Sequence, residues 1–363
     1  GVQDSSTDFG DVNGDGVNDY LYNTMYGTPP RDERTSELSD RTGKTALFFG
    51  GDTPPETPDQ LLYSALSPVG DLNGDGRSDA VQLDGSTLRF FEGTTGGYAS
   101  SGVTVAADSL QPIILGFTDL DGDGYGDVLL VDNGESSFQV VYGGATFGDA
   151  TLRTYSAASQ AETFRYNAAD LDGTGSGAVV RLAERGGDDR VQVFEIDADT
   201  RSLTQAQDFV AEEIQVFNST IKLVDINGNG KRNLFVTRSN QPAYVFSRSS
   251  GEFNQTPVTF QKDDATPIGD LDADGNHDFY VFDESTGTRY VAYGPDNLSN
   301  GLSFDTEISY SEKVLGAPSF LSAYGGLGDV TGDGTDDAVL GYFAYTEKPF
   351  EIGRRFVRGQ ADR

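Results

Sequence analysis

Four aspartates fall within nine residues at Asp119-Leu-Asp-Gly-Asp-Gly-Tyr-Gly-Asp127, at positions one, three, five and nine. So many like charges in one tight loop repel one another unless a counter-ion joins them. A hard divalent cation meets that need, because Ca2+ takes about six to eight oxygen ligands at about 2.3–2.6 Å. Gly124 at position six allows a sharp turn, and the carbonyl of Tyr125 at position seven can turn inward. The stretch reads as a calcium loop.

The pattern recurs from Asp11, Asp71, Asp119, Asp170, Asp225, Asp270 and Asp329. Five copies keep three or four carboxylates at those positions. They are Asp11, Asn13, Asp15 and Asp19; Asp71, Asn73, Asp75 and Asp79; Asp119, Asp121, Asp123 and Asp127; Asp270, Asp272, Asp274 and Asp278; and Asp329, Thr331, Asp333 and Asp337. Val17, Arg77, Tyr125, Asn276 and Thr335 stand at their seventh positions, each offering a main-chain carbonyl. About five Ca2+ sites are therefore expected. The copy at Asp170 has Thr174 at position five and ends in Ala178, which predicts a weak or metal-free loop. The copy at Asp225 carries Asn227, Asn229, Lys231, Arg232 and Asn233, and is expected to hold its turn by side chain-to-backbone hydrogen bonds alone. Ions spent on holding such turns stabilise the fold; a catalytic metal would need an open position and a nearby acid or base.

The elements around the loops are strands. A helical EF-hand needs a glutamate at position twelve. Here that position is Tyr22, Gln82, Leu130, Arg181, Val236, Val281 or Leu340. The residues after the loops run Asp-Val-Leu-Leu-Val (127–131) and Asp-Phe-Tyr-Val-Phe (278–282), short apolar and β-branched stretches typical of buried strands. Position two is always aliphatic (Val12, Leu72, Leu120, Leu171, Ile226, Leu271, Val330), a plug for the core beneath. Loop starts are 60, 48, 51, 55, 45 and 59 residues apart, a spacing of repeat architectures. Each unit carries a second strand pattern such as Phe138-Gln-Val-Val-Tyr-Gly143 and a more polar one such as residues 151–155. With the strand entering the loop that makes four. The expected fold is all-β, a seven-bladed β-propeller of four-stranded antiparallel blades, one domain over residues 1–363. Residues 350–357 are expected as the third strand of the last blade, which either lacks its outer strand or borrows one from the N-terminal end.

Composition narrows the partners. A net charge of −33 disfavours nucleic acid and anionic membrane surfaces. Five bound Ca2+ would bring it to about −23. Cysteine is absent, which removes disulfide and thiol chemistry, and no apolar run is long enough to span a bilayer. No secretory leader is recognisable, consistent with a mature form or an excised domain. Weak calcium loops work at the roughly millimolar calcium found outside cells, so an extracellular or cell-surface setting is expected.

Catalytic signals are sparse. His277, the only histidine, occupies position eight of its loop and is expected to face solvent. Nucleophile elbow, phosphate-loop and zinc signatures are missing, and the Gly-x-Gly pairs belong to the Asp-rich loops. No enzyme is expected; a polysaccharide lyase using one of the 17 tyrosines is the alternative. A secreted lectin is the other alternative, disfavoured by the absence of tryptophan. The longest connection, residues 27–44, carries Arg31, Asp32, Glu33, Arg34, Glu37, Asp40 and Arg41 and balances its charge. Together with residues 184–189 and 311–319 it is expected on the face opposite the Asp-rich loops, and long connections of this kind often carry contacts.

Val69-Gly-Asp-Leu-Asn-Gly-Asp-Gly-Arg-Ser-Asp-Ala80 and Leu327-Gly-Asp-Val-Thr-Gly-Asp-Gly-Thr-Asp-Asp-Ala338 resemble the FG-GAP and VCBS-type repeats, which also build the propeller of integrin α subunits. The resemblance spans essentially the whole chain. It implies a calcium-bound propeller with loops between the first and second strands of each blade, acting as a binding or adhesion module. By analogy with integrins, a protein or glycan partner would sit on the face away from calcium.

Overall fold

The computed structural model describes residues 10–24, 44–52, 55, 57–107, 112–132, 137–156, 163–211, 214–216, 219–238, 241–248, 251–263, 265–283, 288–294, 307–310, 319–344 and 351–357. Among these residues the regular elements are strands, apart from one 3-10 turn at Phe147–Asp149. The first sheet holds β1 (Tyr20–Thr24), β2 (Lys44–Phe48) and β3 (Gln60–Leu62). The second holds β4 (Ser67–Gly70), β5 (Asp79–Asp84), β6 (Thr87–Thr94) and β7 (Gly97–Ala106). The third holds β8 (Pro112–Thr118), β9 (Asp127–Asp132), β10 (Ser137–Tyr142) and β11 (Thr151–Ser156). The fourth holds β12 (Thr163–Asp170), β13 (Gly177–Arg185), β14 (Asp188–Ile196) and β15 (Leu203–Val210). β16 (Ser219–Val224), β17 (Asn233–Arg238), β18 (Gln241–Phe246) and β19 (Val258–Asp263) follow as the fifth. β20 (Ala265–Gly269), β21 (Asp278–Asp283), β22 (Thr288–Ala292) and β23 (Glu307–Tyr310) form the sixth. β24 (Ser319–Gly328), β25 (Asp337–Ala344) and β26 (Glu351–Val357) form the last.

Within each sheet the strands lie in chain order and pair antiparallel. The expectation of seven four-stranded blades is corrected here: five sheets have four strands, and the first and last have three. β1 follows the first loop directly, so no described strand enters that loop. The last sheet reaches only its third strand, β26, where residues 350–357 are expected to lie. 

Sheet-on-sheet packing makes this a β-propeller. β8 lies against β4 and β12, β12 against β16, and β20 against β24, so the first strands gather at the centre. Apolar clusters fill the seams between successive sheets. One joins Val69, Val81 and Phe90 to Val128, Leu130 and Val141; another joins Leu129 and Val140 to Phe164, Tyr166 and Val179. The seam that joins the two ends packs Tyr20 and Phe48 of the first sheet on Leu327 and Val330 beside the last loop. Tyr20 and Phe48 stack with centroids 4.9 Å apart.

Position in the sheet explains the sequence of each strand. Second strands have neighbours on both faces and both edges, so β9 reads Val128-Leu-Leu-Val131 and is buried throughout. Fourth strands lie at the rim, and β7 accordingly alternates half-buried with exposed residues after its first turn. The aliphatic second residue of every loop is buried, as its role as a plug requires: Leu120 packs with Tyr166 and Val179 of the next sheet.

Candidate metal-binding loops

Each loop is wound around its first aspartate. In the third, one Asp119 oxygen accepts the N–H of Gly122 (2.6 Å) and Asp123 (3.2 Å), and the other accepts that of Gly124 (2.7 Å). Asp11, Asp71 and Asp329 repeat the arrangement. The fifth side chain then accepts the seventh N–H, as Asp123 does from Tyr125 at 3.0 Å. Such winding needs left-handed backbone at positions four and six, where Gly122 and Gly124 have φ of 75° and 91°. Ala273 takes the fourth position of the sixth loop at φ 59°.

The ninth side chain works differently. Asp127 is fully buried, accepting the Leu120 N–H at 2.7 Å on one oxygen and the Gly143 N–H at 3.0 Å on the other. Asp19, Asp79 and Asp278 repeat this with Val12 and Gly50, Leu72 and Gly93, and Leu271 and Gly294. Burial pushes these carboxyls up, to about 6 for Asp19, about 7 for Asp79, and about 8 for Asp127 and Asp278, against the opposing pull of those backbone donors. Where a glycine stands at the end of the third strand, at Gly50, Gly93, Gly143 and Gly294, it is required for space. A Cβ on Gly143 would overlap the carbonyl oxygen of Gly126 and stand 2.6 Å from that of Leu72 in the preceding loop.

Neighbouring loops also bind one another. The position-eight N–H donates to the position-one carbonyl of the preceding loop: Ser78 to Asp11 (2.7 Å), Gly126 to Asp71 (2.8 Å), Gly177 to Asp119 (2.6 Å) and Asp336 to Asp270 (2.9 Å). Asn18 donates to Asp329 at 3.1 Å, which ties the first loop to the last. Position-seven side chains lie over the fourth-position glycine of the preceding loop, Arg77 on Gly14, Tyr125 on Gly74 and Val17 on Gly332. The loops overlap like tiles.

The donor sets differ in how well they suit a cation. Oxygens of Asp119, Asp121 and Asp127 lie within 4.8 Å of one another, as do those of Asp270, Asp272 and Asp278, so either trio could hold a metal ion. Asn13, Asn73 and Thr331 replace the third carboxylate in the other strong loops. The two worn loops do not fit. Ala178 offers the fourth loop no ninth ligand. In the fifth, Asn233 is fully buried, gives its oxygen to the Ile226 N–H at 3.0 Å, and its Nδ2 finds no acceptor among the described residues. A buried donor in place of a carboxylate repels a cation. That loop keeps its shape through Asp225, which accepts the Asn229 and Gly230 N–H groups at 3.1 and 2.6 Å, as the sequence suggests.

Other expected features sit elsewhere. His277 is half-buried and not fully exposed to solvent. Residues 184–189 form the exposed hairpin between the second and third strands of the fourth sheet: Glu184 pairs with Asp189 and Arg185 with Asp188 across Gly186-Gly187. Residues 25–43 of the long charged connection and 311–318 lie outside the described residues. Sequence reasoning missed Arg201, whose guanidinium reaches Asp121 from the next sheet at 2.6 Å. No local pattern marks it, because 80 residues separate the partners.

Comparison with known proteins agrees with this geometry. The FG-GAP-like repeat family matches residues 71–130, from the second loop through the third into β9. The chain carries an FG-GAP-like repeat. No curated protein matches it. Among solved structures it is similar to a candidate 6-phosphogluconolactonase from Bacteroides fragilis (14% identity, 81% of this chain and 82% of that one, TM-score 0.50). It is also similar to an Agrocybe aegerita lectin studied for recognition of non-reducing terminal N-acetylglucosamine (13%, 74% and 76%, TM-score 0.48). A functionally unknown protein from Desulfotomaculum acetoxidans aligns too (15%, 87% and 96%, TM-score 0.47). At these identities the likeness speaks for the fold alone. The expectation that the chain is no enzyme is corrected by the lactonase-type structure from Bacteroides fragilis: a candidate enzyme shares this fold, so the question of catalysis is open. No helix among the described residues is long and apolar enough to cross a membrane.

Proposed function

We propose that the chain is a calcium-stabilised extracellular propeller, a single domain over residues 1–363, that serves as a binding or adhesion module for a protein or glycan. The two carboxylate trios, at Asp119, Asp121 and Asp127 and at Asp270, Asp272 and Asp278, carry the reading. Calcium would supply positive charge to five loops through the side chains at positions one, three, five and nine and the carbonyls of Val17, Arg77, Tyr125, Asn276 and Thr335. The hydrogen bonds between neighbouring loops support a structural use of the ion, since ordering one loop orders its neighbours. Exposed fifth positions and partly buried first positions suit ions taken up from solvent. Extracellular placement follows from the millimolar calcium that such loops need. The face away from the Asp-rich loops is the proposed partner surface.

Two measurements test this. Calorimetric titration of chelator-stripped protein should detect calcium, and chelation should lower the melting temperature; a melting curve indifferent to chelator would end the structural-calcium reading. A glycan array and a pull-down in calcium buffer then separate the partner classes. Selective sugar binding lost on changing an aromatic residue to alanine would establish the lectin form of the proposal. Binding to neither class would refute the module reading.

A further inference from the structure

The turn between β14 and β15 places a guanidinium among the third loop's carboxylates. Arg201 Nε donates to Asp121 at 2.6 Å, and its NH2 lies 3.5 Å from Asp123. Asp121 is 1% exposed, so the pair is shielded on the acidic side. The arginine is firmly held. Its NH1 donates to Thr151 Oγ1 at 3.1 Å, and its carbonyl accepts the Tyr155 hydroxyl at 2.9 Å. The guanidinium carbon lies 3.9 Å from the centroid of the Tyr142 ring. The backbone takes φ 51°, a left-handed conformation rarely kept by a residue of this size unless its surroundings impose it. Asp197 fixes that turn by accepting the N–H and hydroxyl of Thr200 and, through its carbonyl, the Arg201 N–H at 2.7 Å.

The same placement recurs one sheet on. Arg248, 4% exposed and lying over Phe253, brings NH2 to 4.0 Å from Asp172 of the fourth loop. Asp121 and Asp172 are both position three, and each arginine comes from beyond the third strand of the following sheet.

We propose that Arg201 is a built-in cation that sets the metal affinity of the third loop, sharing Asp121 and Asp123 with the ion and weakening its binding. Resting on the calcium reading above, this accounts for a loop with four carboxylates that also recruits an arginine. One Asp121 oxygen is committed to the guanidinium, and the fixed positive charge opposes a divalent ion. Neither carboxylate is removed, so the loop still binds. In the fourth loop, where Thr174 and Ala178 replace two acidic ligands, Arg248 alone provides the positive charge.

Terbium luminescence on chelator-stripped full-length protein tests the idea, because Tyr125 lies within the third loop and can sensitise an ion there. The Tyr125 ring also overlies Gly74 of the second loop, so the part of the signal lost in Asp123→Ala isolates the third loop, and calorimetry with Ca2+ gives a parallel reading. Arg201→Met should tighten binding about tenfold at low salt, the order expected for removing one unit charge at contact range in a solvent-like dielectric, and added salt should shrink the gain. Arg201→Gln should tighten binding similarly, and Arg201→Lys should stay near wild type, so the Gln/Lys contrast decides the matter should the Met variant fold poorly. Unchanged or weakened binding in both Met and Gln variants overturns the proposal. If wild-type protein binds terbium and calcium at no loop, the calcium reading itself fails and this inference with it.

Discussion

Asp127→Asn separates the metal's contribution from that of the hydrogen bonds. The wild-type carboxyl is fully buried, accepts the Leu120 and Gly143 N–H groups, and has its pKa pushed up to about 8. In chelator at neutral pH it is therefore mostly protonated. The unfolded carboxyl, ordinarily near 3.8, is ionised at that pH, so folding must take up a proton that the neutral amide never needs, and in chelator the substitution should stabilise the protein. In calcium the side chain is ionised and both oxygens accept. The amide leaves the Gly143 N–H facing a donor, at about 1–3 kcal/mol for an unsatisfied buried group. It also weakens the site; losing saturation at calcium near one hundred times Kd removes about 2.7 kcal/mol of linked stabilisation. Urea unfolding of wild type and variant, in calcium and in chelator, should thus give a penalty of about 4–6 kcal/mol in the first and a gain in stability in the second. The sign with pH follows from linkage. Because the folded-state pKa lies above the unfolded value of 3.8, the folded protein holds the proton more tightly, and chelated protein loses stability as pH rises from about 4 to about 8. Above that range chelated Asp127→Asn should be more stable than wild type. Equal penalties with and without calcium would refute the reasoning.

Three further outcomes follow. Calcium binding near pH 7 should release protons from Asp79, Asp127 and Asp278, seen as a dependence of calorimetric heat on buffer ionisation enthalpy; no such dependence would contradict the raised carboxyl pKa values. Gly143→Ala should cost more than about 3 kcal/mol by denaturant melts, because its Cβ meets backbone of two loops, whereas Gly76→Ala, with φ 83° and open space around it, should cost only the roughly 1–2 kcal/mol of left-handed strain. Asp123→Ala should destabilise more than Asn229→Ala in calcium, and the two should converge in chelator, since each side chain accepts one N–H two residues on, from Tyr125 and Lys231. A gap that persists in chelator would mean that the difference lies in packing and not in the metal.

Much of the loop was legible along the chain because its physics is local. The Asp-x-Asp/Asn-Gly-Asp-Gly spacing dictates that the first side chain captures the amides at positions four to six, within one turn, and the strand after it follows from Val128-Leu-Leu-Val131 and its relatives. The poorer donor sets of the loops at Asp170 and Asp225 were equally local, written in Ala178 and Asn233. What tertiary structure decided are contacts between residues far apart in sequence. The position-eight amides on neighbouring carbonyls, the three-stranded sheets at the two chain ends, the half-buried His277 and the guanidinium that Arg201 inserts into another sheet's loop all arise where units pack. Periodicity shows that a unit repeats; the angle and spacing at which sheets meet are set only when their side chains interdigitate, and those determine which backbone groups and charges face one another across a seam.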